Sequence, residues 1–446
     1  MRFLVRNFIK YRDMFAVVMF ITGLPLIYYL RDGVGLAQNS SAFTAAMAIG
    51  PFGITLLFKN FKRFEVPNKV AFSLVLVFII VCFLYFILRD RYSPVNGNFE
   101  LITFAVIGLV LISSLFMTKE SINNGFLPLA IILSLIGAAL LIYAVSNDPL
   151  FVIGKRASIR FGDNDDQGNP HVYGKGAFFG IILIFLAIKY LKKISIRILP
   201  LIAFFVFFLM VLLMTQTMGP IISTIIFFGL FFTFNFTIKK VSKLVVSLLL
   251  KWYVALVIII FIGFGIKTYS QNQDIFKLVV NQIENRFEKI FISLTTNDKK
   301  THIKSHKVDA SASGRMILIS QVFDTIEENF NEGKLRYIFF GNGYKHTYVD
   351  VPHLEVFDSF GLFVFLFYTL LYFYMIKISI AEMRNPQSIA SEFIAYGFIY
   401  YMVLNFTGGL IIEYSRISYY LLVVRFVYPG ANQFVKAKIQ ELSQNS

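Results

Sequence analysis

The chain has 446 residues, 57% of them hydrophobic, and 42 Lys and Arg against 26 Asp and Glu give a formal net charge of +16. A mean hydropathy of +0.68 excludes an ordinary soluble domain and points to a polytopic membrane protein. A single cysteine, Cys82, excludes a disulfide framework or a cysteine-based metal site within one chain. The basic residues are spread through short loops between apolar runs, which argues against nucleic acid as a partner.

Arg2, Arg6, Lys10 and Arg12 precede the first apolar run, which reads as a retained span rather than a cleaved signal. A hydrocarbon core about 30 Å thick takes roughly 20 helical residues. Runs of that order lie near 14–30, 42–58, 70–88, 100–117, 126–145, 175–191, 197–214, 219–237, 252–269, 357–376, 393–412 and 416–429, the last being short. The expected fold is all-α, an integral membrane protein of about twelve transmembrane helices. Residues 1–269 supply nine spans and an outer loop at 146–174. Residues 270–356 form one large helical extracytoplasmic loop, and 357–446 hold three further spans and a cytoplasmic tail.

Orientation follows from the basic residues, which are retained on the cytoplasmic side. With the N-terminus inside, the inner loops carry Lys59, Lys62, Arg63 and Lys69, then Lys119, then Lys189, Lys192, Lys193 and Arg197, then Lys239, Lys240, Lys243 and Lys251, then Lys377 and Arg384. The opposite short loops carry only Arg31, Arg89, Arg91 and Arg416. The bias has one sign throughout and puts both termini inside. The long stretch 271–356 then falls outside, with 11 basic and 11 acidic residues, so anionic lipid on the cytoplasmic face accounts for the excess positive charge.

The first polar outer segment holds Lys155, Arg156 and Arg160, then Gly168-Asn169-Pro170-His171 and Lys175 at the start of the next span. Arginine makes forked bonds to phosphate oxygens and keeps its charge; lipid headgroups and a phosphate-bearing substrate are both suitable partners. Between them, Asp163-Asn164-Asp165-Asp166-Gln167-Gly168 lacks the spacing of a twelve-residue calcium loop, and neither a metal nor a cofactor is expected. Thr215-Gln216-Thr217-Met218-Gly219-Pro220 joins two spans almost without a loop and offers hydroxyls to an outer cavity.

In the large loop, Phe276, Val279, Val280, Ile283, Phe287, Ile290, Phe291 and Leu294 follow helical spacing with Asp274, Glu284, Glu288 and Lys289 between them. Asn297–Val308 is polar and is expected to be mobile. A second amphipathic helix is predicted after Ser313-Gly314, with Ile319, Val322, Phe323, Ile326 and Phe330 on its apolar face. Its N-terminus beside Arg315 would suit an anion. Phe340-Gly341-Asn342-Gly343-Tyr344 predicts a tight turn close to another surface. His353 then stands just before a span, with Glu355 and Asp358 near enough in sequence to orient it or to bind sugar hydroxyls. An imidazole there suits a general base, or else a helix cap. Glu413 and Arg416 are expected to pair across a further outer turn. No nucleotide-binding loop, dinucleotide fingerprint or His-Glu-x-x-His is present.

This layout resembles the O-antigen polymerase and O-antigen ligase superfamily of bacterial envelope glycosyltransferases. The likeness lies in the span count, an arginine in an earlier outer loop, an Asn-Pro turn at Asn169-Pro170, the Ser313-Gly314-Arg315 segment, and Gly341-Asn342-Gly343 followed by His353 beside a span. The resemblance implies transfer of a glycan from an undecaprenyl-diphosphate carrier outside the membrane. Arg160 and Arg315 would hold the diphosphate and His353 would address the acceptor hydroxyl. Arg156, His171, Lys175, Tyr344, Glu355 and Asp358 complete the expected substrate contacts. Ligase-like members carry Asn after this histidine; Leu354 and Glu355 stand here instead, which favours the polymerase. The expected partners are the carrier-linked donor and acceptor glycans, membrane lipid and a chain-length regulator protein, in the bacterial inner membrane. A ligase, or a polysaccharide transporter or flippase, is the alternative. Transporters usually show repeated halves and ionisable groups at mid-membrane, features not evident in this sequence.

Overall fold

The computed structural model describes residues 2–57, 69–88, 97–123, 125–149, 156–161, 166–191, 198–235, 310–347 and 349–427, with single positions between them. Apart from one two-residue β pair, the regular structure there is helical. The helices are α1 (Arg2–Thr22), α2 (Leu24–Tyr28), continued by a π-helical turn at Tyr29–Gly33, α3 (Ser41–Leu57), α4 (Lys69–Ile87), α5 (Gly97–Leu115), α6 (Lys119–Asn123), α7 (Phe126–Ser146), α8 (Pro170–Lys189), α9 (Ile198–Thr215), α10 (Met218–Asn235), α11 (Ala310–Asn331), α12 (Leu335–Phe340), α13 (Pro352–Arg384), α14 (Ile389–Thr407) and α15 (Tyr414–Phe426). The pair β1 (Arg160–Phe161) and β2 (Asp166–Gln167) is antiparallel, with Arg160 opposite Gln167.

Among the described residues, eight helices are long and apolar enough to cross a membrane, or nine if the bent pair Ile9–Thr22 and Leu24–Gly33 counts as one span. The expected first span is therefore interrupted at Gly23. The expected span at 42–58 is a 17-residue apolar helix, and that at 416–429 is a 13-residue helix. The run 252–269 lies outside the described residues, as do Asn297–Val308 and the apolar positions of the helix expected at 276–294. Exposed apolar residues run along two of these helices, as is compatible with a multi-pass membrane protein. On α13, Phe363, Leu366, Leu370 and Phe373 form an exposed apolar stripe at helical spacing, and on α4 so do Val70, Val77, Ile80, Leu84 and Ile87.

The chain forms two compact units. The first comprises Met1–Ile21, Ser41–Ala130 and Leu318–Ser446; the second comprises Thr22–Ser40 and Ile131–Ile317. In the first, α14 is the central helix, with 78% of its apolar window buried against 28% for α4. The short α15 packs on α5 and α14, and α13 packs on α4, α12 and α14. Ser388 caps α14 in a reciprocal capping box with Ser391, and Glu382 accepts hydrogen bonds from the Gln387 amide (2.8 Å) and the Ser391 hydroxyl (2.6 Å), which fixes the α13–α14 turn. Buried Arg425 donates to the carbonyls of Ser114 (3.0 Å) and Met117, at the C-terminal end of α5 where a cation is favourable.

In the second unit, α8 is the central helix and packs against α2, α9 and α10. Gly180 permits its approach to α9, since a Cβ there would lie 2.5 Å from the Phe208 ring. Below it, Phe185 makes ring contacts with Phe205, Phe227, Phe228 and Phe231. Asn169 caps α8 by accepting from the His171 amide at 2.9 Å, and Pro170 opens the helix. The Asn-Pro signal in the sequence thus marks a helix start.

Candidate functional site

In the second unit, a polar cap closes one end of the apolar helices. The C-terminal ends of α7 and α9 and the N-terminal end of α8 meet there. The segment 156–160 is tied down by Ala157, whose amide donates to the Met214 carbonyl (2.9 Å), and by Ile159, whose carbonyl accepts from Gly168 (2.7 Å). Arg156 donates from Nε to the Thr215 carbonyl (3.3 Å), and its Nη2 lies 3.1 Å from His171 Nε2. Because the guanidinium can only donate, His171 Nε2 is the acceptor and the imidazole is neutral in this contact. Lys175, one turn further on, is buried with its ammonium 5.6 Å from the Phe179 ring. Thr215 and Thr217 were expected to face a cavity. Both are buried, Thr215 donating to the Leu212 carbonyl (2.8 Å) and its oxygen lying 3.2 Å from that of Thr217.

Arg160 forms an ion pair with Asp148, Nε to Oδ2 at 2.9 Å. The pair sits in the wall of a cavity of about 310 Å³, which is also lined by Tyr29, Gly33, Tyr143, Ala144, Pro149 and Ile159. Beside it, Arg31 and Asp32 make a buried bidentate pair (2.7 and 2.5 Å). Arg31 also stacks 4.1 Å over the Tyr28 ring, and the Asn39 amide donates to Asp32 (3.0 Å).

Arg315 also falls in the second unit, on a helix that starts earlier than the sequence suggested. α11 begins at Ala310, so the amides of Gly314 and Arg315 already belong to the helical ladder and are not the free N–H groups of a helix terminus. Of its expected apolar face, Val322 is buried with Val349 and Val351, and Ile319 and Ile326 pack against that cluster. Phe323 and Phe330 are exposed.

Tyr344, His353, Glu355 and Asp358 belong to the first unit. The Gly-x-Gly turn does approach another surface, namely the break in α13 at Gly361, where φ is +76°. The Asn342 amide donates to the Asp358 carbonyl (2.8 Å) and the Gly343 amide to the Ser359 carbonyl (3.1 Å). A Cβ on Gly341 or on Gly361 would collide with the other strand's backbone. The Tyr85 hydroxyl lies 2.8 Å from the Phe340 carbonyl and 3.4 Å from that of Phe360. Backbone groups beside the break are thus hydrogen-bonded within the protein.

This arrangement gives three of the expected substrate contacts internal partners. The buried Tyr344 hydroxyl donates to Glu100 Oε2 (2.6 Å), while Lys345 pairs with Glu100 Oε1 (2.6 Å). Burial, and then the Glu100 charge, push the Tyr344 hydroxyl far above the phenol range, so it stays a donor. Glu355, fully buried, accepts from the Ile411 amide at 3.1 Å. Asp358 accepts from the Asn342 side chain (2.8 Å) and has His346 Nδ1 at 3.6 Å. The expectation that Glu355 or Asp358 orients His353 is therefore corrected, because each is directed into a backbone or side-chain contact elsewhere.

His353 instead lies among rings. Its imidazole stacks on Phe406 (4.9 Å between centroids) and meets Tyr372 (5.1 Å) and Tyr368 (5.2 Å) edge-on. Its Nδ1 is buried and makes no hydrogen bond among the described residues. Behind Tyr368, Asn405 Oδ1 accepts from the Tyr368 hydroxyl (2.8 Å) and from Arg416 Nη1 (2.6 Å), and Arg416 Nη2 reaches the Gly408 carbonyl (3.0 Å). Arg416 thus anchors the end of α14 rather than pairing with Glu413, which accepts from the Ser415 hydroxyl (2.6 Å). Sequence reasoning missed Asp148, Glu100, Asn405 and the tyrosines around His353. Only Glu100 carried a signal, as a lone acid at the start of an apolar span. Among the described residues no group of three or more His, Cys, Asp or Glu is placed to hold a metal ion. No family model matches this sequence, nor does any curated protein.

Proposed function

We propose that this chain is a multi-pass protein of the bacterial cytoplasmic membrane, of about twelve spans with both termini inside. On the outer face it polymerises oligosaccharide repeat units delivered on undecaprenyl diphosphate. The observation that carries this reading is the polar cap of the second unit, where Arg156 and His171 stand at the N-terminal end of a buried apolar helix. The fixed Arg156 cation and the helix N-terminus would stabilise a departing diphosphate. Arg160 and Arg315 belong to the same donor-binding set.

In the reaction, an acceptor hydroxyl attacks the anomeric carbon of the carrier-linked sugar. The bond from that carbon to the phosphate oxygen breaks, the electron pair leaves with the diphosphate, and the hydroxyl proton passes to His353. Direct displacement inverts the anomeric centre. The packing of the imidazole on Phe406, Tyr372 and Tyr368 supports this role for His353, since a ring held by aromatic neighbours is oriented before the acceptor arrives.

The test is deletion followed by electrophoresis of the surface glycan. Single repeat units are expected. Long chains left on the lipid carrier would identify a ligase, and carrier-linked units trapped inside would identify a flippase. With the protein still in the membrane, Arg160→Ala and Arg315→Ala each shorten the chains, and His353→Ala lowers the polymerisation rate by about a hundredfold or more. Normal glycan from all three would overturn the assignment.

A further inference from the structure

We propose that α12 and the adjoining flank of α11 form an anchor in the outer leaflet of the membrane, so that this part of the long outer loop is covered by lipid rather than by water. The placement is independent of the reaction proposed above and needs only a chain that spans a membrane. α12 reads Leu335-Arg336-Tyr337-Ile338-Phe339-Phe340, with a single charge. Leu335, Arg336, Tyr337, Phe339 and Phe340 are exposed, and Ile338 is half-buried. A helix that is apolar on nearly every side is stable where its surroundings are apolar too. The end of α11, closed by the Lys334 amide on the Asn329 carbonyl (2.8 Å), adds a second such face. Val322 is buried and Ile319 and Ile326 pack beside it, but Phe323 and Phe330, about two turns apart on the flank of that face, stay exposed. Asp324, Glu327, Glu328 and Asn331 form the exposed polar face of the same helix.

Continuity with the apolar surface of the spans identifies the occupant as lipid. Phe339 stacks on Phe363 (5.4 Å between centroids), and Phe340 meets the same ring (5.7 Å). Phe363 is the first member of the exposed stripe that runs through Leu366, Leu370 and Phe373 on α13. The Phe340 carbonyl also accepts from Tyr85 (2.8 Å) near the end of α4, whose exposed residues run on to Ile87 and Leu88. α12 therefore sits where two helices long and apolar enough to cross a membrane reach the end of their apolar surfaces. Its rings prolong the α13 stripe without a polar gap. Lipid covers stripe and rings together, whereas a protein partner confined to the loop would leave the stripe bare. The flanking side chains suit the boundary between lipid and water. Lys334 pairs with Glu332 (2.5 Å) in an exposed contact, and Arg336 and Tyr337 follow. Basic side chains on long stems and tyrosine reach from apolar surroundings to the headgroups.

The experiment places the full chain in phosphatidylcholine–phosphatidylglycerol vesicles. Trp252, the one native tryptophan, is first replaced by Phe. Phe340→Trp, Phe330→Trp and, as a control on the polar face of α11, Glu328→Trp are then made singly in that background. Fluorescence is read with lipids brominated on the acyl chain and, separately, with aqueous iodide. Tryptophan at 340 and at 330 is expected to lose most of its emission to the brominated lipid and little to iodide, and tryptophan at 328 the reverse. The unmodified chain provides a second measurement, in vesicles carrying a lipid with a photoactivatable diazirine on its acyl chain. Peptides spanning 335–340 should be labelled along with those of the α13 stripe. Quenching at 340 and 330 by iodide but not by brominated lipid would overturn the proposal. So would protection from both quenchers, which would show a protein cover such as a second copy or another segment, or photolabelling of α13 without 335–340. A lipid response at 340 alone would remove α11 from the anchor. Because no glycan enters either measurement, failure of the polymerase reading leaves the anchor standing, and failure of the anchor leaves that reading untouched.

Discussion

Glu100 shows most directly what a buried charge does in this protein. One of its oxygens takes the Lys345 ammonium and the other the Tyr344 hydroxyl, both at 2.6 Å, and all three side chains are buried. Removing one partner of such a pair strands the other charge, at a cost of about 3–5 kcal/mol, whereas replacing both by apolar groups is close to neutral. Glu100→Gln should therefore lower the melting temperature in detergent sharply, and the double variant Glu100→Leu with Lys345→Met should recover most of the loss. A double variant as unstable as the single one would show that the pair is not what holds the turn. Tyr344 was expected among the substrate contacts, and its hydroxyl is spent on Glu100. Its partner lies 244 positions away along the chain, beyond the reach of any local pattern.

At the scale of the element, the lead-in to α13 is the feature on which the first unit turns. Residues 352–360 and the span that follows belong to one helix, α13, yet Gly361 breaks it in two. The positive φ and the facing backbone of Gly341 both require glycine. Gly361→Ala places a Cβ at positive φ with extended ψ, a conformation open essentially only to glycine and costing about 1–3 kcal/mol, and adds the collision with the 339–341 backbone. The expected result is a drop in stability exceeding that of alanine at Gly229, where a Cβ meets nothing within 4 Å. Equal melting temperatures for the two variants would argue that the break is not under steric control. The Gly-x-Gly turn at Gly341 was legible as a special backbone position, close to another surface. That the surface is the break at Gly361 was not, because glycine records a steric demand without recording what imposes it.

For the whole molecule, the sign of the loop charges makes a prediction about sidedness. Cys82 is buried and leaves a quiet background for introduced thiols. Asn147→Cys and Glu332→Cys, both at exposed positions, should react with a membrane-impermeant maleimide in intact spheroplasts. Asn385→Cys, also exposed, should react only after permeabilisation. Labelling of all three from one side would contradict the alternating topology and with it the outer-face chemistry.

What the sequence determined by itself is the solvent each segment tolerates. Hydropathy over about 20 residues located the long apolar helices, and the exposed stripes on α4 and α13 have the composition that lipid demands. Helix starts written in local chemistry, such as Asn169-Pro170, were also legible, because a cap and its first turn are neighbours in the chain. Tertiary structure alone decided how the polar residues pair. Arg160 goes to Asp148, Arg416 to Asn405 and Gly408, Glu355 to the Ile411 amide, and His353 into a set of rings. An apolar environment makes an unpaired charge costly, so buried charged side chains are drawn to partners, but the identity of each partner depends on which helices pack together, and short-range sequence patterns do not encode it.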